Sequence, residues 1–384
     1  MKKISYGGQY LDSSDIKAVT KSLRKKIITS GSSINKFEKK ISKFLNCKYT
    51  TVCNSGTSAI FLSLKSIKLK KKDTILMPAI NFISSYNVAK ILGAKVILVD
   101  VDKFTGQITP EKIEDCCKKN NLKKFKALIV MYNGGYPINA ERYLNIKKKY
   151  NCFIIEDACH ALGASYKKKD KFFKVGSCKH SDICTFSLHP LKSITTGEGG
   201  IITTNDKILD KAIKSLRSHG IIRNHQKHWD YNVLGHSLNF RLTDFQCELG
   251  ISQLKKINKF IKRRKEISNI YQKKLQKLQK FVTFKFSYPN YKSSYHLLLI
   301  NIKNCNKKLK EKLIKFMLKK NIVLQYHYIP IYKFKIFNSK QTLENSELYY
   351  KSAVSLPIYF KLKNSEINYI VRNLHNFLRF YSRN

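Results

Sequence analysis

Short apolar runs alternate with helix-like patterns up to about residue 255. TSAIFLSLKSI and NFISSYNVAKILG have helical spacing, and the second ends at Gly93. The strand-like runs between and after them are YTTVC, DTILMPA, AKVILVDVD, KALIVMYNG, NCFIIEDA, SDICTFSLH and GGIITTND. Strand and helix alternating at this spacing predict an α/β fold with a mostly parallel central sheet covered by helices.

Beyond that point the pattern changes to a long, basic, amphipathic helix. Its apolar positions recur at helical spacing, at Ile257, Phe260, Ile261, Ile267, Ile270, Tyr271, Leu275 and Leu278. Such a helix usually packs one face on the protein, and contact with nucleic acid or membrane is the rarer alternative. SSYHLLLINI, KKLKEKLIKFMLKKN and IVLQYHYIPIY follow. We predict a large α/β domain over 1–255 and a smaller C-terminal α+β domain over 256–384.

Charge is the extreme feature of the composition, with 74 Lys+Arg against 25 Asp+Glu and a net charge of +49. This charge favours a nucleic-acid or anionic-membrane partner. The lysines are spread along the chain, however, as in a sequence rich in Lys, Asn, Ile and Tyr throughout. We therefore expect ordinary surface cations, no specific nucleic-acid partner and no membrane contact.

The cysteines and the N-terminal stretch indicate the cellular compartment. Ten cysteines are present without a C-x-x-C pair, which indicates reduced thiols and no metal site. MKKISYGGQYLDSSD lacks the apolar core of a signal peptide, and no apolar run is long enough to span a membrane. We expect a cytoplasmic protein.

The stretch VCNSGTSAI joins a predicted strand to a predicted helix at Asn54 to Thr57. Free backbone N–H groups and the helix dipole at such a junction suit a phosphate, and Gly56 allows its close approach. Thr57 and Ser58 add hydroxyl donors. Taken alone, the stretch fits a simple capped helix start equally well.

Two acids follow a buried strand in FIIEDACHALGASY, namely Glu156 and Asp157. Ligands of open α/β sheets bind at the carboxyl ends of strands, and a buried carboxylate needs a partner such as a cationic ring nitrogen. His160 lies near enough in sequence to reach Asp157. The alternative is an acid at a helix start beside a core histidine.

Lys192 lies in FSLHPLKSITTGEGG, between a strand-like run and a glycine-rich turn. A lysine on such a tight connection is held in place, and desolvation would let its amine lose a proton and attack a carbonyl. An ordinary surface lysine is the alternative for this residue alone.

The three motifs together match what pyridoxal phosphate requires. Its phosphate needs an anion-binding helix start such as the one at Gly56. Its pyridinium nitrogen needs an acid such as Asp157, and its aldehyde needs an amine such as Lys192. The freed lysine is then a proton shuttle.

The stretches NSGTSAI, EDACHALGASY, FSLHPLKSITTGEGGIITTND and RLTDFQCELGISQLKKINKFIKRR resemble the DegT/DnrJ/EryC1/StrS sugar aminotransferases. The resemblance covers nearly the whole chain. It implies the fold type I (aspartate-aminotransferase-like) of pyridoxal-phosphate-dependent transferases. YGGQYLDSSDIKAV, LRSHGI, SSYHLLL and HYIPIY are similar to the branch of the family that serves pseudaminic acid biosynthesis.

This resemblance assigns roles to residues. Catalytic roles are implied for Lys192, which bonds to the cofactor aldehyde, and for Asp157 and His160, which lie at its ring. Cofactor contacts are implied for Gly56, Thr57, Phe82, Asp157, His160, Ser187 and Lys192, and for Asn239, which would reach the phosphate in the partner subunit of a homodimer. A nucleotide-sugar pocket is implied for Tyr6, Lys26, Ile27, Ile28, Thr29, Gln325, Tyr326, His327 and Tyr328. Asn81 and Cys159 depart from the residues usual at their positions.

The implied reaction moves an amino group from L-glutamate to C4 of a UDP-linked 4-keto-6-deoxy-N-acetylhexosamine. Two alternatives stay open: the same transamination on a GDP- or dTDP-linked 4-keto sugar, and a non-catalytic basic protein that binds nucleic acid or membrane on the same fold.

Overall fold

The computed structural model describes residues 3–223, 226–227, 229–337 and 341–381. Its helices are α1 Ser13–Leu23, α2 Ser32–Leu45, α3 Gly56–Ser66, α4 Ser84–Ile91, α5 Pro110–Lys119, α6 Tyr143–Tyr150, α7 Lys207–Leu216, α8 Asp244–Leu275, α9 Lys307–Lys319, α10 Glu344–Ser352 and α11 Asn364–Tyr381. Its strands are β1 Tyr49–Cys53, β2 Thr74–Pro78, β3 Lys95–Val99, β4 Ala127–Met131, β5 Phe153–Asp157, β6 Ser165–Lys168, β7 Lys171–Lys174, β8 Ile183–Ser187, β9 Gly200–Thr204, β10 Ile221–Arg223, β11 Tyr231–Val233, β12 Val282–Thr283, β13 Tyr291–Lys292, β14 Leu298–Ile302 and β15 Ala353–Leu356.

A seven-stranded sheet in the order β1-β9-β8-β5-β4-β2-β3 forms the centre of the molecule. The strands from β8 to β3 pair in parallel, whereas β9 pairs antiparallel with both β8 and β1. The central strands β9, β8, β5, β4 and β2 are buried at nearly every residue, as a sheet covered on both faces requires, and the edge strand β3 is the most exposed. The predicted α/β class with a mostly parallel sheet is confirmed, and all seven strand-like runs form its strands.

The long helix predicted beyond residue 255 is the C-terminal part of α8, which starts thirteen residues earlier than the apolar pattern shows. A capping box between Thr243 and Gln246 begins it. Ile257, Phe260, Ile267 and Tyr271 form its buried face, as the spacing predicts. The helix packs against α1, α2 and α11.

The C-terminal part of the chain has its own small sheet, β12-β14-β15, packed with α9 and α11 around a separate apolar cluster. The N-terminus joins this part, because Ile4 pairs with Ile322. Since α8 runs unbroken through residue 255, the division of the chain there stays a prediction.

All ten cysteines are free thiols. In the described ranges, no helix combines the length and apolarity needed to cross a membrane.

Candidate active site

A cavity of about 560 Å³ opens where the carboxyl ends of β5 and β8 meet the N-terminus of α3. It brings together most of the residues proposed from the sequence: Tyr6, Gly56, Thr57, Phe82, Asp157, His160, Ser187, Lys192, Gln325, Tyr326, His327 and Tyr328. Chain segments far apart in sequence therefore converge at the sheet edge where ligands of α/β proteins bind.

Lys192 is fixed on the connection between β8 and β9. Its backbone N–H donates to His189 O over 2.9 Å, and Thr195 Oγ1 closes the loop by donating to Leu188 O over 2.9 Å. Burial lowers the pKa of the Lys192 amine, and the nearby groups of Cys159 and Asp157 oppose this only in part. The amine thus loses its proton more easily than a surface lysine, as a nucleophile requires.

Asp157 ends β5 and is only 3% exposed. Ser85 Oγ donates to its Oδ2 over 3.1 Å, and the backbone N–H of Cys159 donates to its Oδ1 over 3.4 Å. Asn81 Nδ2 donates in turn to Ser85 Oγ over 3.3 Å. Within the described part of the chain, Asp157 has no ion-pair partner within 4 Å, so hydrogen bonds orient this buried carboxylate and the Lys192 amine interacts with it only at longer range.

The N-terminus of α3 borders the same cavity. Ser55 caps the helix by accepting from the backbone N–H of Ser58 at 3.0 Å. A Cβ at Gly56 would lie 2.9 Å from Ser187 Cβ, so only glycine lets the helix start approach β8 this closely. Gly56 and Thr57 of the first turn line the cavity together with Ser187, and the free backbone N–H groups of a helix start suit an anion.

His160 lies between two fixed contacts. The backbone N–H of Gly134 donates to Nδ1 over 3.4 Å, so the ring proton is on Nε2, which lies 2.9 Å from Tyr328 Oη and donates to it. Burial, with the Lys192 charge second, holds the pKa of His160 well below its usual value. The imidazole is therefore neutral and acts as a hydrogen-bonding wall of the cavity.

Three buried histidines predict a pH-dependent stability. Burial lowers the pKa of His160 and His296 well below 6.5 and that of His327 to about 3. Below pH 6.5 these histidines bind protons in the unfolded chain but stay neutral in the folded chain. The free energy of unfolding therefore falls as pH falls. By pH 5 the loss is about 2 kcal/mol per histidine.

Urea unfolding at pH 7 and pH 5 measures this loss. We expect His296→Gln to weaken the pH dependence, whereas His375→Gln, on the half-buried side of α11, keeps it. An unchanged pH dependence in His296→Gln would contradict the prediction.

Two groups of proposed residues lie outside the cavity. Lys26, Ile27, Ile28 and Thr29 are exposed on the loop after α1, where Thr29 pairs with Thr243. Asn239 is exposed and pairs with Ser218. Within one chain, neither group reaches Lys192.

Sequence reasoning missed three residues at this site. The ring of His296 lies 4.2 Å from that of His160, Glu198 lines the cavity, and Ser85 holds Asp157. A polar residue directly before an apolar run, as in SSYHLLL, was the available signal for His296. Nothing in the sequence marks Ser85.

Comparison with known proteins agrees with this geometry. Residues 9–375 match the model of the DegT/DnrJ/EryC1/StrS aminotransferase family. The UDP-4-amino-4,6-dideoxy-N-acetyl-beta-L-altrosamine transaminase of Campylobacter jejuni subsp. jejuni serotype O:23/36 (strain 81-176) is 36% identical over 382 residues, which cover 98% of this chain and 97% of the relative.

Two solved structures share the fold. The Helicobacter pylori aminotransferase involved in pseudaminic acid biosynthesis superposes with a TM-score of 0.89 at 28% identity, over 98% of this chain and 100% of that one. A Streptococcus pneumoniae protein described as a sugar aminotransferase, in its pyridoxal-phosphate form, superposes with a TM-score of 0.89 at 22% identity, over 98% and 99%. The predicted fold type I is confirmed.

Proposed function

The chain belongs to the DegT/DnrJ/EryC1/StrS aminotransferase family, and on that premise we propose that it transfers an amino group from L-glutamate to C4 of a UDP-linked 4-keto-6-deoxy-N-acetylhexosamine. The product would be UDP-4-amino-4,6-dideoxy-N-acetyl-beta-L-altrosamine, for pseudaminic acid biosynthesis. The observation that carries the proposal is the cavity joining Lys192, Asp157 and Gly56, in a chain 36% identical to a transaminase that is named for this sugar.

The enzyme is an aminotransferase, and its cofactor is pyridoxal phosphate. The cavity fits this group. The α3 N-terminus beside Ser187 suits the phosphate, and the unpaired carboxylate of Asp157 suits a protonated ring nitrogen. Phe82 is 54% exposed beside the cavity and offers a stacking face. When bound, the cofactor supplies the electron sink that transamination needs.

We assign the steps of the reaction to residues of the chain as follows from their positions in the cavity. Gly56, Thr57 and Ser187 would bind the phosphate, and Asp157 would keep a proton on the ring nitrogen. Lys192, with its lowered pKa, would take the proton from Cα of the amino donor and return it to the sugar carbon in the second half-reaction. Since both half-reactions use one site, we expect ping-pong kinetics.

Tyr6 and the segment from Gln325 to Tyr328 would bind the nucleotide sugar. They line the same cavity, and Tyr328 Oη forms a hydrogen bond with His160 Nε2. An aromatic and amide lining of this kind suits a sugar and a base.

The visible absorption spectrum of the purified protein tests the function. We expect L-glutamate to shift the band of the bound cofactor, and the UDP-linked 4-keto sugar to restore it. Restoration by a GDP- or dTDP-linked sugar alone would keep the reaction and reject the proposed nucleotide. A band that glutamate leaves unchanged would reject the donor.

We also propose a homodimer with shared active sites. Two parts of the chain expose apolar side chains by 43% to 69%: Leu23, Ile27 and Ile28 at the end of α1 and after it, and Ile222, Trp229, Tyr231, Val233, Leu234 and Leu238 in and around β10 and β11. Backbone hydrogen bonds from Leu234 to Gly220 and from His219 to Leu238 hold the second part together. Exposed apolar surface of this extent is typical of an interface. In such a dimer, each subunit would bring its Asn239 and its stretch from Lys26 to Thr29 to the cavity of the other subunit.

Subunit mixing tests the shared site. Lys192→Ala and Asn239→Ala homodimers should each be impaired. Mixing and refolding them should restore activity, because one of the two sites in a mixed dimer holds both native residues. A mixture no more active than its parents would place Asn239 outside the partner's site. Lys211→Ala mixed with Lys192→Ala serves as the control. Both subunits of that mixed dimer keep Asn239, so the site that holds Lys192 is native whichever subunit supplies Asn239.

A further inference from the structure

One lysine lies on the buried face of α9. Lys310 is only 1% exposed and shares that face with Leu313 and Met317, which pack in the apolar cluster of the C-terminal part. A lysine is almost never fully buried unless its charge has a partner, because burial removes the water that solvates the amine. A leucine or methionine would fill this position without that cost, so the charge itself calls for a reason.

The Lys310 amine has carbonyl partners instead of an acid. Among the residues that the structure describes, no carboxylate oxygen lies within 4 Å of its Nζ, and the adjacent Glu311 pairs with Lys307. Nζ donates to Tyr350 O, and to Ala353 O at 3.5 Å. Tyr350 O is among the last carbonyls of α10, which a helix leaves without donors of its own, and a cation at that end is favourable.

Two tyrosine rings flank the same amine. Nζ lies 4.2 Å from the centroid of the Tyr326 ring and 4.4 Å from that of the Tyr350 ring. The two ring centroids are 5.8 Å apart, and the ring planes are tilted by 60°. Both distances are in the range of a cation–π interaction, which is strongest where the cation is desolvated. The buried charge thus connects Tyr326 to α10.

Tyr326 lines the cavity that holds Lys192, whereas Lys310 does not. The next residues of the segment are fixed by other contacts, because Tyr349 Oη donates to His327 O over 2.6 Å and Tyr328 is bonded to His160. The contact with Lys310 holds the Tyr326 ring from inside the protein.

We propose that Lys310 is a positioning residue for the nucleotide sugar, and that its buried cation fixes the Tyr326 ring in the orientation in which that ring contacts the substrate. The inference rests on the proposed function, because it takes the segment from Gln325 to Tyr328 as part of the sugar-binding wall. Lys310 serves binding of the sugar and not the reaction with L-glutamate.

This role makes sugar binding depend on pH. Burial lowers the pKa of the Lys310 amine to about 7, and the nearby Cys305 and Glu311 oppose this only in part. The charged amine makes the cation–π contacts, so sugar affinity should fall as pH rises through 7. Burial raises the pKa of Cys305 to about 11 and that of Tyr326 to about 12, so both stay neutral in this range. The titratable side chains around the amine are Cys305, Glu311, Tyr326, Lys333, Glu347 and Tyr350.

Calorimetric titration of the cofactor-loaded protein with a UDP-linked N-acetylhexosamine tests the role. This sugar has a hydroxyl in place of the 4-keto group and binds without reacting. At pH 6, Lys310→Met should bind it roughly tenfold more weakly than the wild type, whereas Lys310→Arg keeps the charge and should keep the affinity. Raising the pH to 8.5 should bring the wild type towards the Lys310→Met value and leave Lys310→Arg unchanged. Equal affinity of Lys310→Met and the wild type at pH 6, or no rescue by Lys310→Arg, would overturn the proposal.

Three controls separate positioning from damage to the fold. Single-turnover reaction of Lys310→Met with L-glutamate should stay within about twofold of the wild type, because only sugar binding is altered. Lys308→Met, at an exposed position of α9, should change neither property. Asp100→Ala removes the three hydrogen bonds that Asp100 accepts at the start of α10, and should lower stability to urea without weakening sugar binding. If Asp100→Ala weakens sugar binding as much as Lys310→Met, the lysine acts through the stability of α10 and the proposal is wrong.

Parallel titrations with GDP- and dTDP-linked hexoses distinguish this inference from the proposed function. If the wild type binds one of these and not the UDP-linked sugar, the proposed nucleotide is wrong, and weaker binding of that sugar by Lys310→Met would still support the role of Lys310. If the wild type binds none of the three, both proposals fail.

Discussion

Lys192→Ala is expected to reduce transamination by more than about a thousandfold while the protein still folds. In the proposed mechanism the Lys192 amine bonds to the cofactor and moves the proton, and positioned proton transfer alone contributes about 10² to 10⁴ in rate. The loop that carries Lys192 is closed by hydrogen bonds that do not involve the Lys192 side chain, so its removal leaves those bonds in place. Single-turnover reaction with L-glutamate measures the loss, and circular dichroism checks the fold.

Lys211→Ala is the matched control, because Lys211 is an exposed lysine of α7. It should keep full activity. The absorption spectrum gives a second readout, since only Lys192→Ala should change the band of the bound cofactor. Turnover within tenfold of the wild type in Lys192→Ala would remove this lysine from the mechanism.

The central sheet was predictable because its strands are buried on both faces. Runs such as ALIVM in β4 are continuously apolar, and helix-like segments separate them. The short hairpins were not predictable. β7 is KFFK with mostly exposed residues, and β11 is three exposed residues, so neither has an apolar pattern to detect. Pairing with a neighbour, not local sequence, makes them strands.

The active site, too, was predictable in part. Gly56 and Lys192 each follow a strand and Asp157 ends one, so the edge at which they meet was evident from the sequence. The contacts that tune them come from distant segments: Ser85 is 72 residues from Asp157, and Tyr328 is 168 residues from His160. No periodicity encodes such pairs. The roles of Lys26 to Thr29 and of Asn239 stay predictions, because they depend on a second chain.

Asp157→Asn is expected to lower the rate of the glutamate half-reaction by roughly a hundredfold or more without lowering stability. An amide cannot keep a proton on the ring nitrogen, and loss of one preorganised electrostatic contact costs about 10² to 10³ in rate. The folded protein without cofactor should be as stable as the wild type or more so, because the variant removes a buried carboxylate that has no ion pair among the described residues.

The opposite directions of these two effects separate a functional carboxylate from a structural one. Urea unfolding gives the stability, and single-turnover absorbance gives the rate. Ser85→Ala is the graded control: it removes one hydrogen bond to Asp157 Oδ2 and should cost roughly tenfold in rate, since the charge remains. If Asp157→Asn loses stability and rate together, the carboxylate holds the fold at the end of β5. If it loses rate alone, the protein keeps a destabilising charge there because the cofactor ring requires it.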